Sequence, residues 1–385
     1  MTAVRVGVVG MGAAGLAFVP ALRRHAGFDW VALAEPVDTV RQHCAREFAV
    51  QAYASMKAML AHPGLDAVVI ATPTELHTAQ VVEAACAGKH VLVEKPMAVS
   101  MEAGRSMVDA AEQAGVTLLV GHSHSHDLPI RRMRDLIESG ELGPVGMVNT
   151  WCYSDWINRP RRAAELDVSL GGGVTFRQGA HQFDILRLLC GGLARSVRAR
   201  TFDWNPQRSA VGAHSAWIDF ENGAAATAIY NGYGGFSTMD LCGDISEWGF
   251  RQPAASRPAR AAAAGARSPE DELRAKRERA GNAIPAEAPY QPHFGLTLVS
   301  CQQGDIRQTP HGLQVDSRTG TREIVLPTDR SPRELVLDEF HDAITATRRP
   351  LHDGRWGLAT LELCLAALES SRTGVEVRLR EQIAA

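Results

Sequence analysis

An α/β domain followed by an α+β domain is the fold class that three features of the sequence predict. From residue 4 to about 122, short and nearly continuous apolar runs alternate with helix-length segments. Beyond about residue 145 the strand-like runs are longer and alternate in polarity. At 385 residues the chain also exceeds what a single hydrophobic core usually supports. The first domain is placed at 1–125 and the second at 126–385.

In the first half, "VRVGVVG", "WVALAE", "DAVVIAT", "HVLVEK" and "TLLVGH" read as strands buried on both faces. The intervening "ELHTAQVVEAACAGK" and "SMEAGRSMVDAAEQAG" have helical spacing and close near Gly88 and Gly115, where a left-handed cap is needed. This pattern predicts a doubly wound parallel sheet. Its first strand runs into Gly10-Met11-Gly12-Ala13-Ala14-Gly15, a G-x-G-x-x-G in the strand-to-helix setting that a Rossmann dinucleotide site requires. Gly10 permits the turn, Gly12 lets the backbone approach a pyrophosphate, and Gly15 lets helix and strand pack closely. Glu35 closes the second strand, where a carboxylate accepts hydrogen bonds from a ribose and repels a 2′-phosphate. With no arginine directly after it, NAD is favoured over NADP as cofactor. Ala71, Thr72 and Pro73, with His77 on the following helix, lie at the carboxyl edge of the sheet, where a dinucleotide is bound. Glu94, Lys95 and Pro96 end the fourth strand, and a lysine beside the expected nicotinamide reads as functional.

In the second half, "VGMVNTWCYSDW", "VRARTFDW", "AHSAWIDF" and "AAATAIYNG" read as a mainly antiparallel sheet. Asn222-Gly223 joins the last two as a hairpin turn. Residues 251–292 read as an insertion, with "SPEDELRAKRERA" a solvated helix. The closing helices, within 331–372, are expected to pack back toward the first domain.

Three stretches hold further candidate site residues. In "GGGVTFRQGAHQFD", residues 171–184, Arg177 and His181 are four apart and would share one helix face. On spacing alone that face reads as solvated decoration. Arg159, Arg161 and Arg162 of "NRPRR" suit either a solvated loop or the mouth of a site. "HSHSHD", residues 122–127, sets three histidines at alternate positions, so an extended chain would project them to one side. No cysteine or acid has the spacing to complete a metal site, and no metal is expected. His124 and His126 are instead candidates for the substrate pocket.

The formal charge of -3 offers no attraction to nucleic acid or to an anionic membrane. Seven cysteines, scattered without a C-x-x-C pair, argue against a disulfide framework. With no leader pattern in "MTAVRVGVVG", a cytoplasmic location is expected.

"GMGAAG", "ATPTELH", "GKHVLVEKP" and "GGGVTFRQGAHQFD", in this order and spacing, resemble the glucose-fructose oxidoreductase, inositol dehydrogenase and MocA family. The closing "DEFHDAITATRRPLHDGRWGLATLELCLAALESSRTG" extends the resemblance to nearly all the chain outside the insertion. It implies a Rossmann domain plus an open-faced antiparallel sheet used for subunit packing, hence a homo-oligomer, dimer or tetramer. It also implies a site between domains, where Lys95 and His181 handle the proton of the reacting hydroxyl and Asp184 lies on the substrate side. One departure stands out. Where many polyol dehydrogenases of the family carry an acid four positions before the histidine, this chain has Arg177. A guanidinium accepts no hydrogen bond and pairs with carboxylates, so the expected substrate is an anion. Within the family, the stretches from "HSHSHD" to "AHQFD" resemble the phthalate 4,5-cis-dihydrodiol dehydrogenases. That implies oxidation of cis-4,5-dihydroxycyclohexadiene-1,2-dicarboxylate to 4,5-dihydroxyphthalate. A sugar-acid or inositol-type dehydrogenase, a reductase or lyase with tightly held NAD, and a non-catalytic NAD(H) sensor stay open as alternatives.

Overall fold

A computed structural model describes residues 3–254, 268–281 and 288–385. The chain divides into two compact units, the first chiefly 3–122 and 333–361, the second chiefly 123–276, 288–332 and 362–385. Two parts of the expected insertion, 255–267 and 282–287, lie outside the described residues. No described helix is long and apolar enough to cross a membrane.

The first unit opens with β1 (Val4–Val9), α1 (Ala13–Arg24), β2 (Phe28–Ala34), α2 (Asp38–Phe48), β3 (Gln51–Tyr53) and α3 (Met56–Leu60). It continues with β4 (Ala67–Ile70), α4 (Thr74–Cys86), β5 (His90–Glu94), α5 (Met101–Ala114) and β6 (Leu118–Gly121). The strands pair in the order β3-β2-β1-β4-β5-β6, all parallel. Sandwiched between helices, the central strands need apolar side chains on both faces, and Val6, Val8, Val69 and Leu92 are fully inaccessible. The direction of winding reverses between β1 and β4, which opens a crevice beyond their carboxyl ends. Gly10 and Ala71 follow directly there. The sheet has one strand more than the alternating runs suggest. The extra one, β3, is a three-residue edge strand, too short to show a pattern.

The second unit begins with α6 (Leu128–Glu138), β7 (Val145–Tyr153), α7 (Ala163–Leu166), α8 (Val174–Arg177) and α9 (Gly179–Leu189). Then come β8 (Ala194–Phe202), β9 (Ala213–Phe220), β10 (Ala225–Asn231) and α10 (Pro269–Gly281). A meander of β11 (Leu296–Cys301), β12 (Gly304–Thr309), β13 (Gly312–Ser317) and β14 (Gly320–Val325) follows. The chain closes with α11 (Pro332–Ile344), which lies almost wholly in the first unit, then α12 (Gly354–Thr373) and β15 (Val377–Arg378). Nine strands form one sheet, ordered β14-β13-β12-β11-β7-β10-β9-β8-β15. Every pairing is antiparallel except β10 with β7. Along β7, Val148, Thr150 and Cys152 are buried while Met147 and Trp151 of the opposite face are exposed.

Helix α9 is held on the buried face of this sheet by polar contacts. Gln182 Nε2 donates to Thr150 Oγ1 at 3.2 Å and to the Ile229 carbonyl at 3.1 Å. His214 of β9 links Gln182 Oε1 (3.0 Å) to the Thr175 hydroxyl (3.1 Å). Burial brings the His214 ring down to about 3 and, against a backbone contact with Gln291, the His293 ring down to about 4.

Most described residues of α10 are exposed or half-buried, as the sequence reading of a solvated helix expects, but two of its side chains are anchored. Glu272 pairs with Arg208 at 2.7 Å, both nearly inaccessible, and Lys276 pairs with Glu165. Burial would raise the Glu165 carboxyl, but Lys276 and Arg161 outweigh it and bring it to about 2.

Two predictions follow from these contacts. His214 and His293 are neutral when folded and take up a proton near pH 6.5 when unfolded, so acid favours the unfolded chain. Below about pH 6.5 each ring should cost about 1.4 kcal/mol of stability per pH unit. The loss for His214 continues down to about pH 3 and that for His293 to about pH 4. Denaturant melts between pH 7 and 5 should show it, and His214→Gln should flatten the slope; an unchanged slope would refute the assignment. The second concerns the first turn of α1. A Cβ on Gly15 would sit 2.0 Å from the Gly10 carbonyl oxygen, whereas one on Gly12 would meet nothing within 4 Å. Gly15→Ala should therefore lower Tm by several degrees, through about 1–3 kcal/mol of overpacking. Gly12→Ala should melt like the wild type.

Candidate active site

The first unit supplies a cradle for a dinucleotide. Gly10 turns the chain after β1 with φ +88, and Gly12 forms the N-cap of α1 without a side-chain cap or any acid in the first turn. The helix therefore presents unblocked N–H groups and an uncancelled dipole to an anion. Gly12 and Ala13 are exposed, Ala14 is half-buried and Met11 is buried beneath them. Glu35 ties this loop to β2. Its Oε2 accepts from the Met11 N–H at 2.9 Å and its Oε1 from the Val37 N–H at 3.0 Å. Each carboxylate oxygen has a second lone pair, so this bracing leaves capacity to accept from a ribose. Arg41, six residues on, donates to the Glu35 carbonyl at 2.8 Å and pairs with Asp38. The open face over Gly12 and the uncapped helix end fit a pyrophosphate.

On the other side of the switch point, Ala71 continues β4 through its N–H to the Val9 carbonyl at 2.9 Å. The Thr72 hydroxyl donates to Gln80, and Pro73 is the N-cap of α4. His77 is almost wholly buried. Its ring nitrogens lie 2.9 Å from the Thr72 carbonyl and 3.1 Å from the Pro96 carbonyl. That ring braces the turn after β4 against the turn after β5. Glu94 accepts from the Lys95 N–H at 3.2 Å, Lys95 is half-buried, and the Lys95–Pro96 peptide is cis.

In the second unit two expectations are corrected. Arg177 and His181 do not share one continuous helix. The chain breaks at Gln178 (φ -110, ψ -33), which ends α8 and starts α9. Their four-residue spacing therefore does not set a common face. The other correction concerns "HSHSHD": Ser123–His126 is a 3-10 helix, in which alternate residues point about 240° apart, so the histidines do not line up on one side.

The glycine run serves its own loop. A Cβ on Gly172 would lie 2.6 Å from the Asp167 backbone. The N–H groups of Gly172 and Gly173 donate to the Asp167 and Glu165 carbonyls at 2.7 and 2.9 Å. Arg177 is anchored to the same loop, its Nε donating to the Gly171 carbonyl at 3.1 Å. Arg159 binds Asp155 at 2.6 Å and faces Glu247 at 4.0 Å. Arg161 lies over the Trp156 ring at 4.1 Å, and both Arg161 and Arg162 face Glu165. These three arginines thus have internal partners that knit residues 155–165 together.

His124 and His181 are brought together, their rings edge to face with centroids 4.6 Å apart. Phe294 stacks on His124 at 4.4 Å and packs against His181 at 4.9 Å, and Trp248 lies 6.4 Å from His124. Asp184, three residues after His181, is fully buried on α9. Phe294, Trp248 and Asp127, whose carboxylate meets His124 at 3.1 Å, were missed by the sequence reading. Asp127 before Leu-Pro looks like an ordinary helix cap, and no local pattern marks the two aromatic residues.

Comparison with known proteins agrees with this architecture. Residues 4–122 match the model of an oxidoreductase family with an NAD-binding Rossmann fold, and residues 130–236 match the GFO/IDH/MocA C-terminal domain. The chain is 36% identical over 377 residues, 96% of its length and 95% of the relative's, to a 1-carboxy-3-chloro-3,4-dihydroxycyclohexa-1,5-diene dehydrogenase of Comamonas testosteroni. It is 28% identical over 230 residues to the scyllo-inositol 2-dehydrogenase (NAD(+)) of Bacillus subtilis strain 168, covering 58% of this chain and 65% of that one. Among solved structures, one from Bordetella bronchiseptica RB50 superposes with a TM-score of 0.88 at 35% identity, covering 98% of this chain and all (100%) of the other. The WlbA dehydrogenase of Bordetella pertussis, solved with NADH and UDP-GlcNAcA, shares the fold at a TM-score of 0.74 and 22% identity, with 98% of each chain covered. The chain belongs to the glucose-fructose oxidoreductase, inositol dehydrogenase and MocA family and is an NAD-binding oxidoreductase.

Proposed function

We propose that this protein oxidises an anionic cyclic diol, a carboxylated cyclohexadiene cis-diol, with NAD as acceptor. The observation that carries the reading is Arg177. Where a neutral-polyol enzyme of the family would offer a carboxylate, this chain offers a guanidinium, anchored through Nε to the Gly171 carbonyl. A guanidinium suits paired N–H···O bonds to a substrate carboxylate. The Comamonas relative, named for a carboxylated dihydroxycyclohexadiene, supports the same class. Within it, the specific substrate proposed is cis-4,5-dihydroxycyclohexadiene-1,2-dicarboxylate, giving 4,5-dihydroxyphthalate. A sugar acid or an inositol is the second reading, favoured by the Bacillus relative.

In this reading Gly10–Gly15 and Glu35 hold the pyrophosphate and ribose of the cofactor, with Ala71, Thr72, Pro73 and the Glu94–Pro96 turn completing its site. When bound, NAD supplies the acceptor for the hydride leaving the carbinol carbon. Lys95, with His181, takes the hydroxyl proton, so that the hydride and the proton leave along separate routes. His124 lines the substrate pocket beside His181. Burial of the ring pair beneath Phe294 keeps water from competing for that proton. Arg159 is assigned a structural task, because Asp155 and Glu247 already bind it.

Lys95→Ala should lower kcat by roughly two to four orders of magnitude while NAD affinity, read by calorimetry, holds. Arg177→Asp should raise KM for a carboxylated diol far more than KM for NAD. NADH formation across cis-diol carboxylates, uronates and inositols tests the class: turnover of inositols alone would sink the anion reading, and binding of NADH without any turnover would favour a sensor.

Self-association through the open face of the sheet is also proposed. Met147, Trp151 and Trp217 are exposed there, with Trp151 paired across to Ile229 and Leu296. Such a patch is too apolar to be left in water without reason. Light scattering should report a dimer or tetramer, with Trp151→Glu and Trp217→Glu shifting it toward monomer. A wild-type monomer at micromolar concentration would refute this.

A further inference from the structure

The carboxylate of Asp127 has no part in the mechanism above, yet its surroundings point to a task. Asp127 occupies the N-cap position of α6, where aspartate ordinarily accepts from first-turn N–H groups and contributes about 1 kcal/mol. Here its side chain makes no capping bond. Oδ2 is turned instead to Nδ1 of His124 at 3.1 Å, in a pair whose side chains are only 2% and 7% exposed. A carboxylate can only accept, so Nδ1 of His124 carries the proton. That ring in turn meets His181 edge to face, at an interplanar angle of 75°, and is backed by Phe294 at 26° to it. The orientation of one carboxylate thus passes through a stacked imidazole to the imidazole of α9.

We propose that Asp127 is a positioning residue: by holding His124 in one tautomer and one orientation, it keeps the His181 ring in register for proton transfer. The inference rests on the proton-handling role given to His181 above. Two features make the coupling effective. The three rings of His124, His181 and Phe294 are closely packed, so a ring that turns must displace its neighbour. Proton transfer also depends steeply on position, with a misplacement of about 1 Å costing on the order of 100-fold. Diverting a good capping residue from its helix is the stability cost of the arrangement. It is met by Pro129 near the helix start, which lacks an N–H and leaves one donor fewer to cap.

Nitrogen-15 NMR of the imidazoles in the full chain, without substrate, tests the tautomer directly. In the wild type the neutral His124 ring should carry its proton on Nδ1. Asp127→Asn should lose that signature, because the side-chain amide can donate to Nδ1. It should also lower kcat at least about 10-fold with KM for NAD within about twofold, and Asp127→Glu should restore part of both. A wild-type His124 protonated on Nε2 overturns the proposal, even if no variant folds. So does an Asp127→Asn enzyme with kcat within twofold of wild type. A loss that follows Tm alone and is not relieved by Asp127→Glu marks a merely structural carboxylate and overturns it too. Full activity in His181→Asn would remove the role of His181 and the link to catalysis, while the His124 tautomer stayed as in the wild type.

Discussion

Helix α9 has no solvent face. All residues from Gly179 to Leu189 are buried, and His181, Gln182, Asp184 and Arg187 are among them. A polar group taken out of water without a partner costs roughly 1–3 kcal/mol, and more if charged. Much of the second unit is arranged to meet that demand. Gln182 is satisfied by Thr150, Ile229 and His214. Arg187, wholly inaccessible, is reached by the last residues of the chain, with Gln382 Oε1 at 2.9 Å and the Ile383 carbonyl at 3.4 Å. That tail is fixed in turn by Glu362, which accepts from the N–H groups of Arg380 and Glu381. His181 is enclosed by His124 and Phe294. A helix so committed cannot shift without breaking several buried contacts at once, which is the rigidity that the role proposed for His181 requires.

The cofactor half achieves rigidity differently, by close backbone approach. Gly15 lets α1 descend onto the Gly10 carbonyl, and Glu35 fastens the loop from the side through Met11. The same carboxylate that stiffens the loop carries a negative charge that would repel a 2′-phosphate. Arg41, the nearest cation along the chain, is already turned to the Glu35 carbonyl and Asp38. Preference for NAD and stability of the glycine loop are therefore two consequences of one side chain, and cannot be altered independently by replacing it.

How much of this was legible in the sequence depended on the range of the interaction involved. Buried parallel strands and the glycine fingerprint are local patterns, and the parallel sheet, its cofactor loop and the mainly antiparallel second sheet could be read from them. Edge strand β3 has three residues, too few to show a period. The break at Gln178 escaped because the residues on either side are themselves helical. "HSHSHD" read as extended because alternation was taken as strand geometry, whereas the residues coil into a 3-10 turn. Charge partners were least legible. Arg159 finds Glu247 and Arg208 finds Glu272, at sequence separations no local pattern encodes.

Those distant pairs sharpen the meaning of the arginines. Four of them are paired with carboxylates of the second unit: Arg159, Arg161 and Arg162 within residues 155–165, and Arg208 with the distant Glu272. Arg208 and Glu272 are both nearly inaccessible, and breaking a buried pair by removing one partner is strongly destabilising. Arg177 is oriented in part by its Nε bond to the Gly171 carbonyl. Counting arginines near the glycine run would assign substrate recognition to all of them. Arg159, Arg161, Arg162 and Arg208 serve carboxylates of this chain, so the proposed recognition of an anion rests on Arg177, by its position four residues before His181.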